Sequence, residues 1–286
     1  MKLKTNNTTK GIIFAGCSFT WGQGLYYYSN LPTVSEPKNY VYTEESIKDS
    51  HHMIRKTLYY PRLVANHFNT FEITKIQNGG SDFISLEFIN DVFNLNKYPS
   101  PHINEKYTFD EIEYIIFQTS QVQRNPFIYN FEDENGINRE HKFRLDLKES
   151  HNHFFKYLNK INKNFDDWYK EFVQDNFQKI KNKLQLYENL GIKTLILCWP
   201  DDYLELIKND DFLSKRLITF EYDGVEYHSI SKMIDFNKHL QIMYDMQYFT
   251  IPPQDLHPSK ECHKIIANCI IKKINNMTYD IKKPII

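Results

Sequence analysis

The chain has 286 residues, of which 35 are basic and 36 acidic, so its formal net charge is −1. This balance gives no electrostatic reason to expect a nucleic acid or an anionic membrane as a partner. The longest apolar runs span about six residues, such as 194–199, far short of the ~20 residues that cross a bilayer. The length suits one domain with a sizeable core.

Short apolar segments predict buried strands along the chain. Residues 1–10 are polar and are expected to form a flexible leader. The predicted strands that follow are 11–16, 71–77, 113–118, 194–199 and a short fifth at 248–251.

Helices are expected between these strands, where apolar residues recur every three or four positions. The predicted helices cover 58–68, 82–95, 153–190 with a break near 164, and a last helix after 259. Ser81 and Ser259 are expected to act as N-caps, and Gly191 is expected to end the long helix. The polar-aromatic segment 26–56, the charged and irregular segment 125–150 and the mixed segment 200–245 are interpreted as insertions. A hairpin is expected around Asp223-Gly224.

Strands that alternate with helices predict an α/β fold with a parallel sheet and helices on both faces. Residues 11–280 are therefore expected to form a single domain with insertions. Functional sites in such sheets form at the carboxyl ends of the strands. Ser18, Gly80 and the segment 118–121 each follow a predicted strand, so we expect them at one edge of the sheet.

Two distant segments together suggest hydrolytic chemistry. Ser18 lies in the sequence Gly-Cys-Ser-Phe-Thr-Trp-Gly directly after the first predicted strand, although a glycine-serine pair there also suits a purely structural turn. Asp255 and His257 stand two residues apart before the last predicted helix, and Pro258 favours an extended conformation for His257. A serine, a histidine and an aspartate are the components of a hydrolytic triad.

These segments, in this order, resemble the SGNH (GDSL-type) hydrolase superfamily. The resemblance covers four blocks between residues 11 and about 275. It implies a flavodoxin-like three-layer α/β/α sandwich with a mostly parallel, five-stranded sheet, and ester hydrolysis that needs no metal or other cofactor. It also implies that Ser18 is the nucleophile and that Asp255 and His257 complete the triad. The implied oxyanion donors are the backbone N–H groups of Ser18 and of Gly80 or Gly79.

The third block departs from the family pattern. The family has Gly-x-Asn after the third strand, and this chain has Gln-Thr-Ser-Gln from residue 118. By register Ser120 takes the place of the asparagine, and Gln118, Gln121 or Asn78 are alternative donors. Loss of one such donor costs about 2.7–4 kcal/mol in transition-state stabilisation. Arg124 is expected either to bind an anionic group of the substrate or to form a surface ion pair.

The sequence therefore predicts a serine esterase acting on a small-molecule or glycan ester, such as an O-acetylated carbohydrate. Two alternatives stay open: a catalytically weak or inactive binding protein of phage or glycan-associated type, and a lipid esterase or acyltransferase with the same triad. An α/β-hydrolase elbow is excluded by the missing second glycine after Ser18. A zinc site would have to use the histidines at 51, 52, 151 and 153, whose spacing matches no zinc motif.

The cysteines indicate a reducing compartment. Cys17, Cys198, Cys262 and Cys269 form no C-x-x-C pair, which favours reduced thiols and a cytoplasmic protein. The N-terminal segment resembles a bacterial lipoprotein signal, because lysines are followed by an apolar run and then by Gly16-Cys17. The apolar run is shorter than such signals require, and cleavage there would remove the strand that precedes Ser18.

Overall fold

The computed structural model describes residues 9–17, 20, 22, 25, 28, 57–74, 80–95, 106–132, 136–146, 151–245 and 256–281. Side chains are described for all of these except 131–132, 151–153 and 278–281. The predicted fifth strand at 248–251, and all of the predicted insertion at 26–56 except residue 28, lie outside the described residues.

The described strands form one parallel sheet and two hairpins. The sheet has the order β2-β1-β3-β6, and all three of its strand pairs are parallel. The strands are β1 (Gly11–Ala15), β2 (Glu72–Thr74), β3 (Ile112–Thr119), β4 (Phe127–Glu132), β5 (Asn138–Phe143), β6 (Lys193–Cys198), β7 (Phe220–Tyr222) and β8 (Val225–Tyr227). The four strands predicted up to residue 199 are thus present as β1, β2, β3 and β6.

Helices separate the strands, as predicted. The longer helices are α1 (Tyr60–His67), α2 (Asp82–Val92), α3 (His151–Lys160), α4 (Phe165–Asn189) and α8 (Lys260–Ile281). Shorter ones are α5 (Leu204–Lys208), α6 (Ile230–Phe236) and α7 (Ile242–Asp245). The protein is therefore an α/β protein whose central parallel sheet is flanked by helices.

Side chains of the sheet alternate between two hydrophobic clusters, because successive residues of a strand point to opposite faces. Ile13 of β1, Ile115 of β3 and Ile196 of β6 join a cluster with residues of α2 and α4. Their neighbours Phe14, Ile116 and Leu197 join a second cluster with residues of α1, α6 and α8. Strands buried on both faces are nearly continuous apolar runs, which is the pattern that made them recognisable in the sequence.

The segment after β6 adds to the edge of the sheet. Ile196 forms a parallel bridge with Leu217, and Cys198 forms one with Ser229. The hairpin β7–β8 lies between these two bridges in the chain, and its turn residues Asp223 and Gly224 both have positive φ. This is the geometry of a tight two-residue hairpin turn, and the expected hairpin is confirmed.

The prediction of an irregular segment at 125–150 was wrong, because most of it forms the antiparallel hairpin β4–β5. The sequence obscured β5 because its residues Asn138–Phe143 are polar except for the last, and Phe143 is the one that is buried. Phe143 stacks on Phe154 of α3 with ring centroids 4.0 Å apart, so a single residue attaches β5 to the core.

Helix ends follow the expected signals. Asn164 caps α4, since its Oδ1 accepts the N–H of Asp167 at 2.9 Å. Gly191 follows α4 with φ of +87°, and Ser81 accepts the N–H of Ile84 at 3.3 Å at the start of α2. The break near Asn164 separates α3 from α4. Among the helices that the structure describes, none has the length and apolar character needed to cross a membrane.

The cap at Asn164 allows a test of the fold. We expect Asn164→Ala to lower the free energy of unfolding by about 1 kcal/mol, because one N–H of the first turn loses its acceptor. Urea denaturation followed by circular dichroism measures this change. Asn189→Ala, at the exposed end of the same helix, is the matched control. Equal effects of the two substitutions would show that the cap contributes nothing.

Candidate functional site

The turn after β1 approaches β3 closely. Thr20 donates its backbone N–H to the carbonyl oxygen of Cys17 at 2.9 Å, which closes the turn. A Cβ atom added at Gly16 would lie 2.1 Å from Thr20 Oγ1 and 2.8 Å from Gln118 Cβ. Glycine at position 16 therefore lets this turn rest directly on the end of β3.

Gln118 connects that turn to the neighbouring strand. Its Oε1 accepts the Thr20 hydroxyl at 3.1 Å and the Tyr60 hydroxyl at 3.3 Å, and its Nε2 donates to Cys17 Sγ at 3.1 Å. Gln118, Thr20 and Cys17 are each at most 2% exposed. The amide of Gln118 is thus engaged inside the protein, where it contacts both Cys17 and Thr20.

Tyr60 extends the same network to the last helix. Its hydroxyl donates to Thr20 Oγ1 at 3.1 Å, and its backbone N–H donates to Nδ1 of His263 at 3.2 Å. The two rings are stacked with centroids 5.7 Å apart. Burial raises the pKa of the Tyr60 hydroxyl, so it stays a proton donor at neutral pH. One tyrosine in α1 therefore joins the turn after β1 to the first turns of α8.

His263 is a neutral, fully buried imidazole. Burial first, and then the charge of His257, lower the pKa of His263 to about 3. Because Nδ1 accepts a hydrogen bond, the proton of the neutral ring belongs on Nε2. Within the described residues Nε2 has no hydrogen-bond partner. His257 and His263 are electrostatic neighbours at the start of α8.

The segment that contains His257 is held in an extended pairing. The carbonyl oxygen of His257 accepts the N–H of Ile242 at 2.9 Å, and the N–H of Ser259 donates to the carbonyl oxygen of Leu240 at 2.7 Å. Ser259 then caps α8, since its Oγ accepts the N–H of Cys262 at 3.3 Å, as expected. The His257 side chain is partly exposed, so it can reach both solvent and a ligand.

Asp82 joins the blocks that follow β2 and β3. Its Oδ1 accepts the N–H of Ser120 at 2.6 Å, and its Oδ2 accepts Asn125 Nδ2 at 2.9 Å and the Tyr203 hydroxyl at 3.1 Å. Burial raises the pKa of Asp82 to about 6, although the hydrogen bonds from Asn125, Ser120 and Tyr203 act in the opposite direction. Asp82 follows Gly80 by two residues and accepts the N–H of Ser120. Its carboxyl group therefore links the segment after β2 to the segment after β3.

Part of the predicted site falls outside the described residues. Ser18, Asp255, Asn78 and Gly79 lie there, and their predicted roles stay predictions. Gly80 is described and buried, one residue before the cap of α2.

The predicted residues after β3 differ in their surroundings. Ser120 is 1% exposed, and its hydroxyl lies beside the Asp82 carboxyl group, whose pKa it helps to lower. Gln121 is exposed. Arg124 is partly buried at the end of a 3-10 turn and forms no ion pair with the described residues, so the expected surface pair is not observed there.

Sequence reasoning missed the residues that organise this edge of the sheet. They are Tyr60, Asp82, Asn125, Tyr203 and His263. In the sequence Asp82 was only the first residue of the predicted helix 82–95, and His263 was one residue among others in the predicted last helix. Their shared signal is burial of a polar group, which one sequence does not reveal.

The described residues include no group of three or more histidine, cysteine or acidic side chains placed to hold a metal ion. His51 and His52 lie outside the described residues, and the side chains of His151 and His153 do too. All four cysteines are free thiols, and Cys17, Cys198 and Cys262 are buried.

The raised pKa of Asp82 predicts a pH dependence of stability. The native state holds this proton up to pH about 6, whereas the unfolded chain releases it near the ordinary value of 3.8. The native state therefore binds more protons between these values, and stability falls as pH rises through that window. Relative to Asp82→Asn, we expect the wild type to lose roughly 2–3 kcal/mol of unfolding free energy between pH 4 and 7.

Urea denaturation at several pH values measures that difference. Asp175→Asn, which removes an exposed carboxylate from α4, is the matched control. A constant difference between wild type and Asp82→Asn over this pH range would contradict the buried, raised-pKa carboxyl group.

Comparison with protein-family models, with curated proteins and with solved structures found no match to this chain. The functional assignment therefore depends on the residues and contacts described above.

Proposed function

We propose that the protein is a serine esterase of the SGNH type, built on a flavodoxin-like α/β/α sandwich with a fifth strand completing the sheet. One observation carries this proposal. The turn next to Ser18 and the helix start next to His257 belong to a single buried network, which runs from Thr20 and Gln118 through Tyr60 to His263. Two blocks about 240 residues apart are thereby joined, as a triad divided between them requires.

The proposed reaction has two steps. Ser18 Oγ attacks the ester carbonyl carbon while His257 takes the hydroxyl proton and passes it to the leaving alcohol. Water then attacks the acyl-Ser18 carbonyl, and His257 takes a proton from that water and returns it to Ser18. Asp255 orients the imidazole and stabilises its cation. The products are a carboxylic acid and an alcohol.

The developing oxyanion would be stabilised by the N–H groups of Ser18 and Gly80. The buried position of Gly80, just before the eleven-residue helix α2, supports this role, because a helix N-terminus favours negative charge. The Ser120 hydroxyl is the third donor that we propose, since by register it takes the place of the family's asparagine. Gln118 acts instead as a positioning residue, because its amide already contacts Cys17, Thr20 and Tyr60.

The substrate we favour is an acylated carbohydrate. The polar and aromatic character of 26–56 and 200–245 suits a sugar-binding groove better than a lipid site. Arg124, which ends the 3-10 turn Val122–Arg124 and forms no ion pair with the described residues, suits an anionic group on such a substrate.

A labelling experiment tests the nucleophile. A fluorophosphonate probe should label the wild type at Ser18, and Ser18→Ala should abolish both labelling and hydrolysis of p-nitrophenyl acetate. Circular dichroism establishes that the variant is folded. Undiminished hydrolysis by folded Ser18→Ala would end the proposed mechanism.

The role of His257 as the general base can be tested against a second histidine of the chain. We expect His257→Ala to lower kcat for p-nitrophenyl acetate by at least about 10³-fold, because the serine loses its proton acceptor. His67→Ala removes an exposed histidine from the last turn of α1 and should leave kcat unchanged. Equal kcat values for the two variants would exclude His257 as the base.

The second candidate is a binding protein that retains the fold. It is favoured by the third block, where the amide of Gln118 is engaged in packing and the family's asparagine is replaced by Ser120. Folded wild-type protein that takes no fluorophosphonate label would support this candidate. Comparison of acetylated-sugar, short-chain and long-chain esters would separate the carbohydrate esterase from a lipid esterase or acyltransferase.

A further inference from the structure

A cleft of about 650 Å³ lies away from the candidate active site. It is enclosed by the second half of α8, the hairpin β7–β8, the end of α5 and the turn Ser214–Arg216. Its lining includes Lys208, Ser214, Thr219, His228, Cys269 and Lys273. Lys273 follows His263 by ten residues, which is about 15 Å along a helix axis. The cleft is therefore separate from the network around Tyr60.

The two acidic groups of the cleft share one lysine. Glu221 and Glu226 lie directly opposite each other in the hairpin β7–β8. Lys272 of α8 contacts Glu221 at 3.0 Å, and the charge of Glu226 also acts on it. Like charges opposite each other in a hairpin repel, and Lys272 offsets that repulsion. These three side chains keep one net negative charge at the hairpin, and Lys208 and Lys273, which also line the cleft, add two positive charges.

Lys273, the residue after Lys272, differs from it in its surroundings. It is partly buried and forms no ion pair within the described residues. Burial, and then the charge of Arg216, lower the pKa of its ammonium group. Arg216 itself is committed to Glu188 through Nε and Nη2, and its Nη1 donates to the carbonyl oxygen of Phe212. Lys273 is therefore a partly desolvated cation beside another cation, an arrangement that a bound anion would stabilise.

Other donors line the same space. Lys208 reaches the cleft from α5, and its carboxylate partner within the described part of the chain is Glu205 at 3.8 Å. Ser214 and Thr219 add hydroxyl groups, and Nδ1 of His228 is buried without a hydrogen-bond partner among the described residues. Two cations and two hydroxyls from separate elements match the several acceptor oxygens of a phosphate group.

We propose that this cleft binds the phosphate group of a small phosphate monoester, with Lys273 and Lys208 as the cationic contacts and Ser214 and Thr219 as hydroxyl donors. The volume of the cleft is typical of sites for metabolite-sized ligands and exceeds what a phosphate group alone fills. The organic part then lies toward His228 and Asn276. This site is independent of the proposed esterase activity.

Calorimetric titration at constant ionic strength tests the proposal, with inorganic phosphate and ribose 5-phosphate as probes. We expect saturable binding by the wild type and at least about tenfold weaker binding by Lys273→Met, since one charge-assisted contact is lost. Lys264→Met removes an exposed lysine from the same helix and should bind as the wild type does. Absence of saturable binding, or equal affinities of Lys273→Met and Lys264→Met, would overturn the proposal.

Cys269 gives a second readout at the cleft itself. It is the only one of the four cysteines with a partly exposed side chain, and it lines the cleft. Alkylation of the native protein by iodoacetamide should therefore modify Cys269 first, and saturating phosphate should slow the reaction in the wild type. The protection should be absent in Lys273→Met. Alkylation at the same rate with and without phosphate would contradict binding at this place.

The two probes distinguish the source of the phosphate. Tighter binding of ribose 5-phosphate than of inorganic phosphate would support a phosphorylated metabolite as the ligand. Weaker binding of ribose 5-phosphate than of inorganic phosphate would show that the cleft does not accommodate the organic part. It would overturn the proposal that the ligand is a phosphate monoester. Ribose alone is expected not to bind.

Discussion

The hydroxyl of Tyr60 is shared between Thr20 and Gln118, and the backbone N–H of the same residue is accepted by His263. Through these bonds one residue of α1 contacts the turn after β1, the end of β3 and the beginning of α8. A buried polar network of this kind stabilises a fold only when its members are satisfied together, because an unpaired polar group away from water is costly. Tyr60 therefore links the two segments of the chain from which the proposed nucleophile and base come.

Asp82 has a similar role at the other side of the same edge. Its carboxyl group accepts bonds from the loop after β3 and from Tyr203, and it begins the helix that follows Gly80. In both networks a hydrogen-bonded group in the interior, rather than the sheet itself, determines where the loops lie. The parallel strands bring the loops to one edge, and the buried polar side chains hold them in a fixed arrangement.

Much of the fold was predictable because it depends on local chemistry. Apolar runs indicated four strands of the sheet, Ser81 and Ser259 indicated helix starts, and Asp223-Gly224 indicated a hairpin. The hairpin β4–β5 was missed because β5 is polar along most of its length and is attached to the core chiefly by Phe143. Tyr60, Asp82 and His263 were missed for a different reason. A buried polar group is specified by partners far away in the chain, as His263 is by Tyr60, 203 positions earlier. The residues of the candidate triad carry a recognisable order in the sequence, whereas the residues that support them do not.

Gly16 restricts which substitutions the turn after β1 can accept. A single added carbon there would collide with Thr20 and with the stem of Gln118, neither of which has space to move aside. Alanine, the smallest possible change, would push the turn away from β3 and separate the hydrogen-bond partners that hold it. The contact between the turn after β1 and the end of β3 thus depends on the absence of one methyl group, and any redesign of this edge of the sheet has to begin by leaving that space empty.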